Sequence, residues 1–206
     1  MERNILFIGV LERDKDRDVL KVIKQILILS QYQVIYESID GAIIGLCKSN
    51  LILIVFDFLE EDFNQNEMVK MDFDILVHNF SEEIESNLVK KILANSGACV
   101  LNSDNNNLIS LVRGLNSTLI TYGFNGKATL TISSYDVDPI IKINICLQRD
   151  IISLNGRKTE PFEFCISMDS TEEKKIYPLL AGTALNILLG DTILNQKQED
   201  HILLSF

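Results

Sequence analysis

Histidine is scarce in this chain: His78 and His201 are the only two in 206 residues. General bases are therefore in short supply. No Ser-His-Asp or Cys-His arrangement and no GxSxG, HExxH or GxGxxG motif can be drawn from the sequence. Closely spaced cysteines are missing too. Cys47, Cys99, Cys146 and Cys165 each lie in or beside an apolar run, none with metal-ligand spacing. They read as buried free thiols in a reducing, cytoplasmic compartment. Positive charge is thin, with 19 basic against 29 acidic residues and a net charge of −10. That balance argues against nucleic acid and against an anionic membrane surface, both of which need clustered Lys and Arg. Long hydrophobic runs are absent. The longest, "LILIVF" (51–56), falls far short of the ~20 residues of a membrane span, and "MERNILFIGV" lacks the features of a secretory leader. There is no internal repeat, low-complexity segment or Pro/Gly-rich linker, so a single domain over 1–206 is expected.

Hydrophobic residues make up 47% of the chain, enough for a sizeable core. Short apolar runs at 5–10, 33–38, 51–56, 73–78, 98–102 and 118–123 read as strands. They are near-continuous rather than alternating, as in a parallel sheet covered on both faces. Helical patterns lie between them. Residues 18–30 carry Val19, Val22, Ile23, Ile26 and Leu27 at helical spacing. Residues 81–97 open on Ser81 as N-cap and close on Gly97, and 103–116 begins with capping residues. The alternation predicts a doubly wound α/β part over 1–124. From 125 the pattern alternates apolar and polar, with "NG" at 155–156 as a hairpin signal. A second, antiparallel sheet and a helix over 170–190, capped by Ser170 or Thr171, are expected for 125–190, followed by a tail over 191–206.

"ILFIGVLERDKDRD" (5–18) ends a buried strand where a nucleotide-binding protein would place a glycine-rich loop. A later strand ends in "VLNSDN", then come a helix, "LITYG", an antiparallel region and "YPLLAGTALNILLG". This order resembles the central, ATP-binding domain of the Mur ligase family over roughly residues 4–190. The best-matched piece is "GACVLNSDNNNLISLVRGLNSTLITYGF" (97–124). The resemblance implies an α/β fold, P-loop-NTPase-like, with a mostly parallel sheet flanked by helices and a small antiparallel sheet. ATP and Mg are the cofactors it implies. Gly9 falls at the first glycine of the family's phosphate loop, and Arg13 or Lys15 lies nearby. Asp57 falls at the magnesium-binding glutamate, and His78-Asn79 at a Thr-Asn pair. Asn102 and Asp104 match residues at the adenosine end of ATP. The later glycine, the lysine and the hydroxyl of the loop have no counterpart, an Asp-His pair is replaced by "FSEEIES", and Ile176-Tyr177-Pro178 stand where the family has His-Asn. A phosphate loop works because glycines let successive N–H groups curl around the anion. Bulky acidic residues oppose that curl.

The expectation is a catalytically degenerate Mur-ligase-like domain that retains no cofactor and acts as a binding or accessory module. Its partner would be a protein, in a process linked to cell-envelope assembly. A nucleotide-binding protein or weak ATPase with a phosphate site rebuilt on Arg13 or Lys15 stands beside it, as does one subunit of a split amide ligase. Residue by residue, alternatives remain open. The run 12–18 is a solvated turn or a degenerate loop, and Asp57 a strand-end acid or a metal ligand. Asn102 and Asp104 cap a helix or bind adenine. His78 reads as structural, "EEDFNQNE" (60–67) as a solvated loop or a partner surface, and "HILLSF" as a self-packing edge strand or a docking peptide.

Overall fold

The computed structural model describes residues 4–13, 15–59, 71–80, 86–105, 112–191 and 202–204. The expectations for Ser81, for 60–67 and for residues 106–111 of the 103–116 helix lie outside these residues. Thirteen strands are described: β1 (Ile5–Glu12), β2 (Gln33–Glu37), β3 (Ile43–Lys48), β4 (Leu51–Leu59), β5 (Ile75–Asn79), β6 (Ala98–Asn102), β7 (Thr118–Tyr122), β8 (Leu130–Asp136), β9 (Ile141–Leu147), β10 (Ile151–Ile152), β11 (Lys158–Thr159), β12 (Phe162–Met168) and β13 (Ile202–Leu204). The helices are α1 (Asp18–Leu29), α2 (Ser86–Ala94) and α3 (Ile176–Leu189).

Eleven strands form one sheet in the order β13-β12-β9-β8-β7-β6-β5-β1-β4-β3-β2, and β10 and β11 form a separate hairpin. β1, β4, β5, β6 and β7 are mutually parallel. They supply the buried apolar runs seen in the sequence. One layer, α1 and α3, covers one face through Val19, Val22, Ile23, Ile26, Leu180 and Ala184. Its partner layer, α2, packs Val89, Ile92 and Leu93 against Leu11, Leu76, Cys99 and Leu101 on the other face. α3 is apolar all round and buried for nearly its full length, as befits a helix enclosed between sheet and helix.

Three expectations are corrected. Residues 33–48 form an antiparallel hairpin, β2–β3, that continues antiparallel into β4. β3 was not foreseen. Its signal is Asp40-Gly41, with Gly41 at φ 68, between two apolar runs. The antiparallel region is also not a separate sheet. β8 joins β7 through the single pair Tyr122↔Leu130, and the sheet runs on. Finally, α3 starts at Ile176 after a 3₁₀ turn, Glu173–Lys175, and Ser170 Oγ instead accepts the N–H of Glu172 at 3.1 Å. Pro178 sets that start. A proline ring excludes helical backbone four residues upstream, whereas the first turn needs no N–H from it. Two expectations agree with the structure: Asn155-Gly156 turns the β10–β11 hairpin, with Gly156 at φ 79, and β13 adds to the edge of the chain's own sheet beside β12.

Candidate functional site

In a doubly wound sheet, ligands sit outside the carboxyl ends of the strands where the strand order reverses. Here β1 has β4 on one side and β5 on the other. At or near their carboxyl ends these strands carry Glu12, Asp57, His78 and Asn79, with Asn102 and Tyr122 on the next two strands. All six are buried or nearly so.

Glu12 is the last residue of β1 and only 1% exposed. Its Oε2 accepts the N–H of Val19 at 3.1 Å and its Oε1 the N–H of Leu20 at 3.3 Å. These are first-turn donors of α1, the groups that have no partner inside a helix and that hold phosphate in a phosphate loop. The chain fills that seat with its own carboxyl. Burial, followed by the neighbouring Asp57, raises the pKa of Glu12 from 4.5 to about 9. At neutral pH Glu12 therefore keeps its proton beside Asp57. Asp57 in turn holds Arg17: Nη1 donates to Oδ2 at 2.6 Å and to the Asp57 carbonyl at 3.2 Å. The side chain of Asp57 is fully buried in this contact. Arg17 reaches it from the residue preceding α1, with φ 54.

The solvated-turn reading of 12–18 is thus corrected at its ends. Glu12 and Asp18 are buried, while Arg13, Lys15 and Asp16 are exposed. The sequence offers one sign of this: Glu12 follows an uninterrupted apolar strand and stands six residues before the helix that its carboxyl meets.

The residues carried over for phosphate do not converge. Gly9 lies inside β1, three residues before its end, paired with Phe56 and Leu76. A Cβ there would come within 2.8 Å of Leu76 Cδ1, so close packing explains the glycine. Lys15 lines a cleft of about 340 Å³ between α1 and the β2–β3 turn, with Arg17, Lys21, Lys24 and Asp40. Asp57, the expected magnesium ligand, has its Oδ2 held by Arg17. A metal would have to displace a guanidinium 2.6 Å from its oxygen and separate it from the Glu12 carboxyl. Among the described residues no group of three or more His, Cys, Asp or Glu could hold a metal ion.

His78 points to the opposite sheet face from Glu12, its ring 4.9 Å from that of Phe80. Burial pushes its pKa down to about 4, so it is neutral. Asn79 Oδ1 accepts the Tyr122 hydroxyl at 2.7 Å. Tyr122 was not foreseen. Its burial and its link between β5 and β7 show only once the strands are adjacent.

Asn102 and Asp104 do lie together. Asn102 Oδ1 accepts the N–H of Asp104 at 3.0 Å. The Asp104 carboxylate accepts the N–H groups of Phe124 (2.7 Å) and Asn125 (3.0 Å) and the Tyr177 hydroxyl (3.1 Å). It occupies the space a side chain on Gly123 would need. The pair therefore organises the β7–β8 turn and ties it to the start of α3.

The sequence matches no family model and no curated relative. Its fold does match solved structures. A UDP-N-acetylmuramoyl-L-alanyl-D-glutamate–2,6-diaminopimelate ligase superposes with a TM-score of 0.62 at 12% identity, covering 94% of this chain and 46% of the ligase. A UDP-N-acetylmuramoylalanyl-D-glutamyl-2,6-diaminopimelate–D-alanyl-D-alanyl ligase from Acinetobacter baumannii gives 0.61 at 7%, covering 94% and 46%. A pseudomurein peptide ligase type C from Methanothermus fervidus gives 0.60 at 11%, covering 95% and 49%. The fold is Mur-ligase-like, as the sequence resemblance implied. The chain spans just under half the length of these ligases. Among the described residues no helix is long and apolar enough to cross a membrane.

Proposed function

We propose that this chain is a Mur-ligase-like domain that does not bind or transfer the phosphates of a nucleotide and serves as a binding or accessory module. Its partner is a protein, and its setting is cell-envelope peptide assembly in the cytoplasm, by analogy with the ligases that share its fold. The observation that carries the reading is Glu12. A neutral carboxyl bonded to Val19 N–H and Leu20 N–H takes the donors that a phosphate would need, with Asp57 behind it. An incoming phosphate would meet that carboxyl, and the Arg17 guanidinium is already on Asp57.

Phosphate release from Mg-ATP tests it, with and without an amino-acid acceptor. The reading expects no release above the no-protein rate, and none that Asp57→Asn removes. Turnover that follows protein concentration and is lost in Asp57→Asn would refute it.

A further inference from the structure

A second place in the molecule is shaped for a ligand. Where the β7–β8 turn meets the start of α3, a cleft of about 460 Å³ is lined by Phe124, Tyr135, Glu173, Lys174 and Tyr177. Its three rings stand as walls rather than as a stack. Phe124 and Tyr135 have centroids 5.7 Å apart with planes at 81°, and Phe124 and Tyr177 are 5.3 Å apart at 61°. The rings stay partly open to solvent, Phe124 at 36% and Tyr135 at 43%, although burying them would be favourable.

Both tyrosine hydroxyls are committed to carboxylates. Tyr135 donates to Glu173 Oε1 at 2.5 Å, and Tyr177 donates to Asp104 Oδ2 at 3.1 Å. This does two things. It locks the rings in place, so a ligand meets a prepared surface. It also draws electron density from the O–H bond into each ring, which strengthens the negative potential of its face. Glu173 adds a carboxylate at the rim. Among the described residues the lining holds one cation, Lys174, whose Nζ lies 3.3 Å from Glu172 Oε2. Ring faces at steep angles beside a carboxylate form the arrangement that attracts an organic cation.

We propose that this cleft is a binding site for an alkylammonium group, held against the faces of Phe124, Tyr135 and Tyr177 with Glu173 beside it. The group is carried on a small amine or on a methylated lysine side chain. The site is independent of the Glu12 cluster, so its failure would leave the reading of the strand ends untouched.

The chain has no tryptophan and five tyrosines, two of which line the cleft. Tyrosine emission therefore reports on it directly. The protein is titrated into the millimolar range with choline, with the neutral tert-butyl analogue of choline, and with a short peptide bearing trimethyl-lysine. The expected result is a saturable change with the cations and about fivefold or more weaker binding of the neutral analogue. Tighter binding of the peptide than of choline assigns the source to a polypeptide, and the reverse order to a small amine. Tyr135→Ala should weaken choline by about fivefold or more, with the cooperative thermal transition retained as the control for folding. Tyr135→Phe should fall between that variant and wild type. Equal binding of the neutral analogue, no saturable change with any cation, or full affinity in Tyr135→Ala would each overturn the proposal.

Discussion

At the end of β1 a carboxyl group and two helix N–H groups satisfy one another, and each would be costly to leave alone. Glu12 is buried beside a second acid, and the Val19 and Leu20 donors face it. Glu12→Ala removes both acceptors and should lower stability by about 1–3 kcal/mol in urea unfolding. Glu12→Gln keeps one of the two acceptors for the helix and should cost less than Glu12→Ala at neutral pH. An Ala variant as stable as wild type would show that the contact contributes nothing. Gly123 makes a similar point about close fit. It has φ 150, and the Asp104 carboxylate lies within 3 Å of where its Cβ would be. Gly123→Ala should cost about 1–2 kcal/mol from backbone strain, and an unchanged urea midpoint would count against the tight turn. Sequence alone could place Glu12 at a strand end and Asn102 beside Asp104. It could not show that Glu12 turns inward, because a run of seven charged or polar-adjacent residues looks solvated until the helix is set against the strand.

Between elements, α1 packs closely against α3. Val22, Ile23 and Ile26 of α1 meet Gly182, whose missing Cβ would come within 3.0 Å of Ile26 Cδ1 and 3.1 Å of Val22 Cγ1. Asn186 Nδ2 donates to Ser30 Oγ at 2.7 Å across the same interface. The glycine lets α3 lie close against α1, and α3 carries Tyr177 to Asp104. Gly182→Val should therefore overpack the interface and lower stability by about 1–3 kcal/mol, measured by the denaturant midpoint. A neutral result would mean the helices have room to part. α1 and the parallel strands were legible because their apolar residues recur at the helical period or in unbroken runs. β3 was less so. Its run is interrupted by Gly45, and the extra residue of the β2 bulge, between Val34 and Tyr36, falls against that glycine. Pairing direction depends on the turn between runs, and the Asp40-Gly41 signal carried that information.

Across the whole molecule, the strand ends gather polar groups on both sheet faces, and two of them impose opposite pH dependences. The pKa of Glu12 is raised from 4.5 to about 9 by burial and by Asp57. The native state thus binds the extra proton, and this contribution is full below about pH 4.5 and is lost as pH rises to about 9. The pKa of His78 is lowered from 6.5 to about 4 by burial. Its contribution is full above about pH 6.5 and is lost as pH falls through about 4. Of these two groups only Glu12 titrates differently in the folded and unfolded states between about pH 6.5 and 8, so wild-type stability should decline there. In Glu12→Gln the decline should disappear. A wild-type curve that is flat or rising over this window would mean that Glu12 is ionised in the folded protein.

The same scale shows what the sequence conveyed and what it did not. The order of elements identified a Mur-ligase-like fold at 12% identity or less to its solved neighbours, because order and spacing survive when side chains change. That the sheet would pass unbroken from β7 into β8 did not show, since one residue pair makes the junction. Nor did the aromatic cleft, whose three rings come from the β7–β8 turn, β8 and α3.

The account rests on the phosphate seat being filled, and isothermal calorimetry tests that most directly. Wild-type protein is titrated with Mg-ATP, Mg-ADP and inorganic phosphate into the millimolar range. The account predicts no saturable heat with any of the three. Saturable one-site binding of Mg-ATP that Arg13→Ala or Lys15→Ala abolishes would contradict it, and would mean that the exposed turn builds a phosphate site without the α1 donors that Glu12 holds.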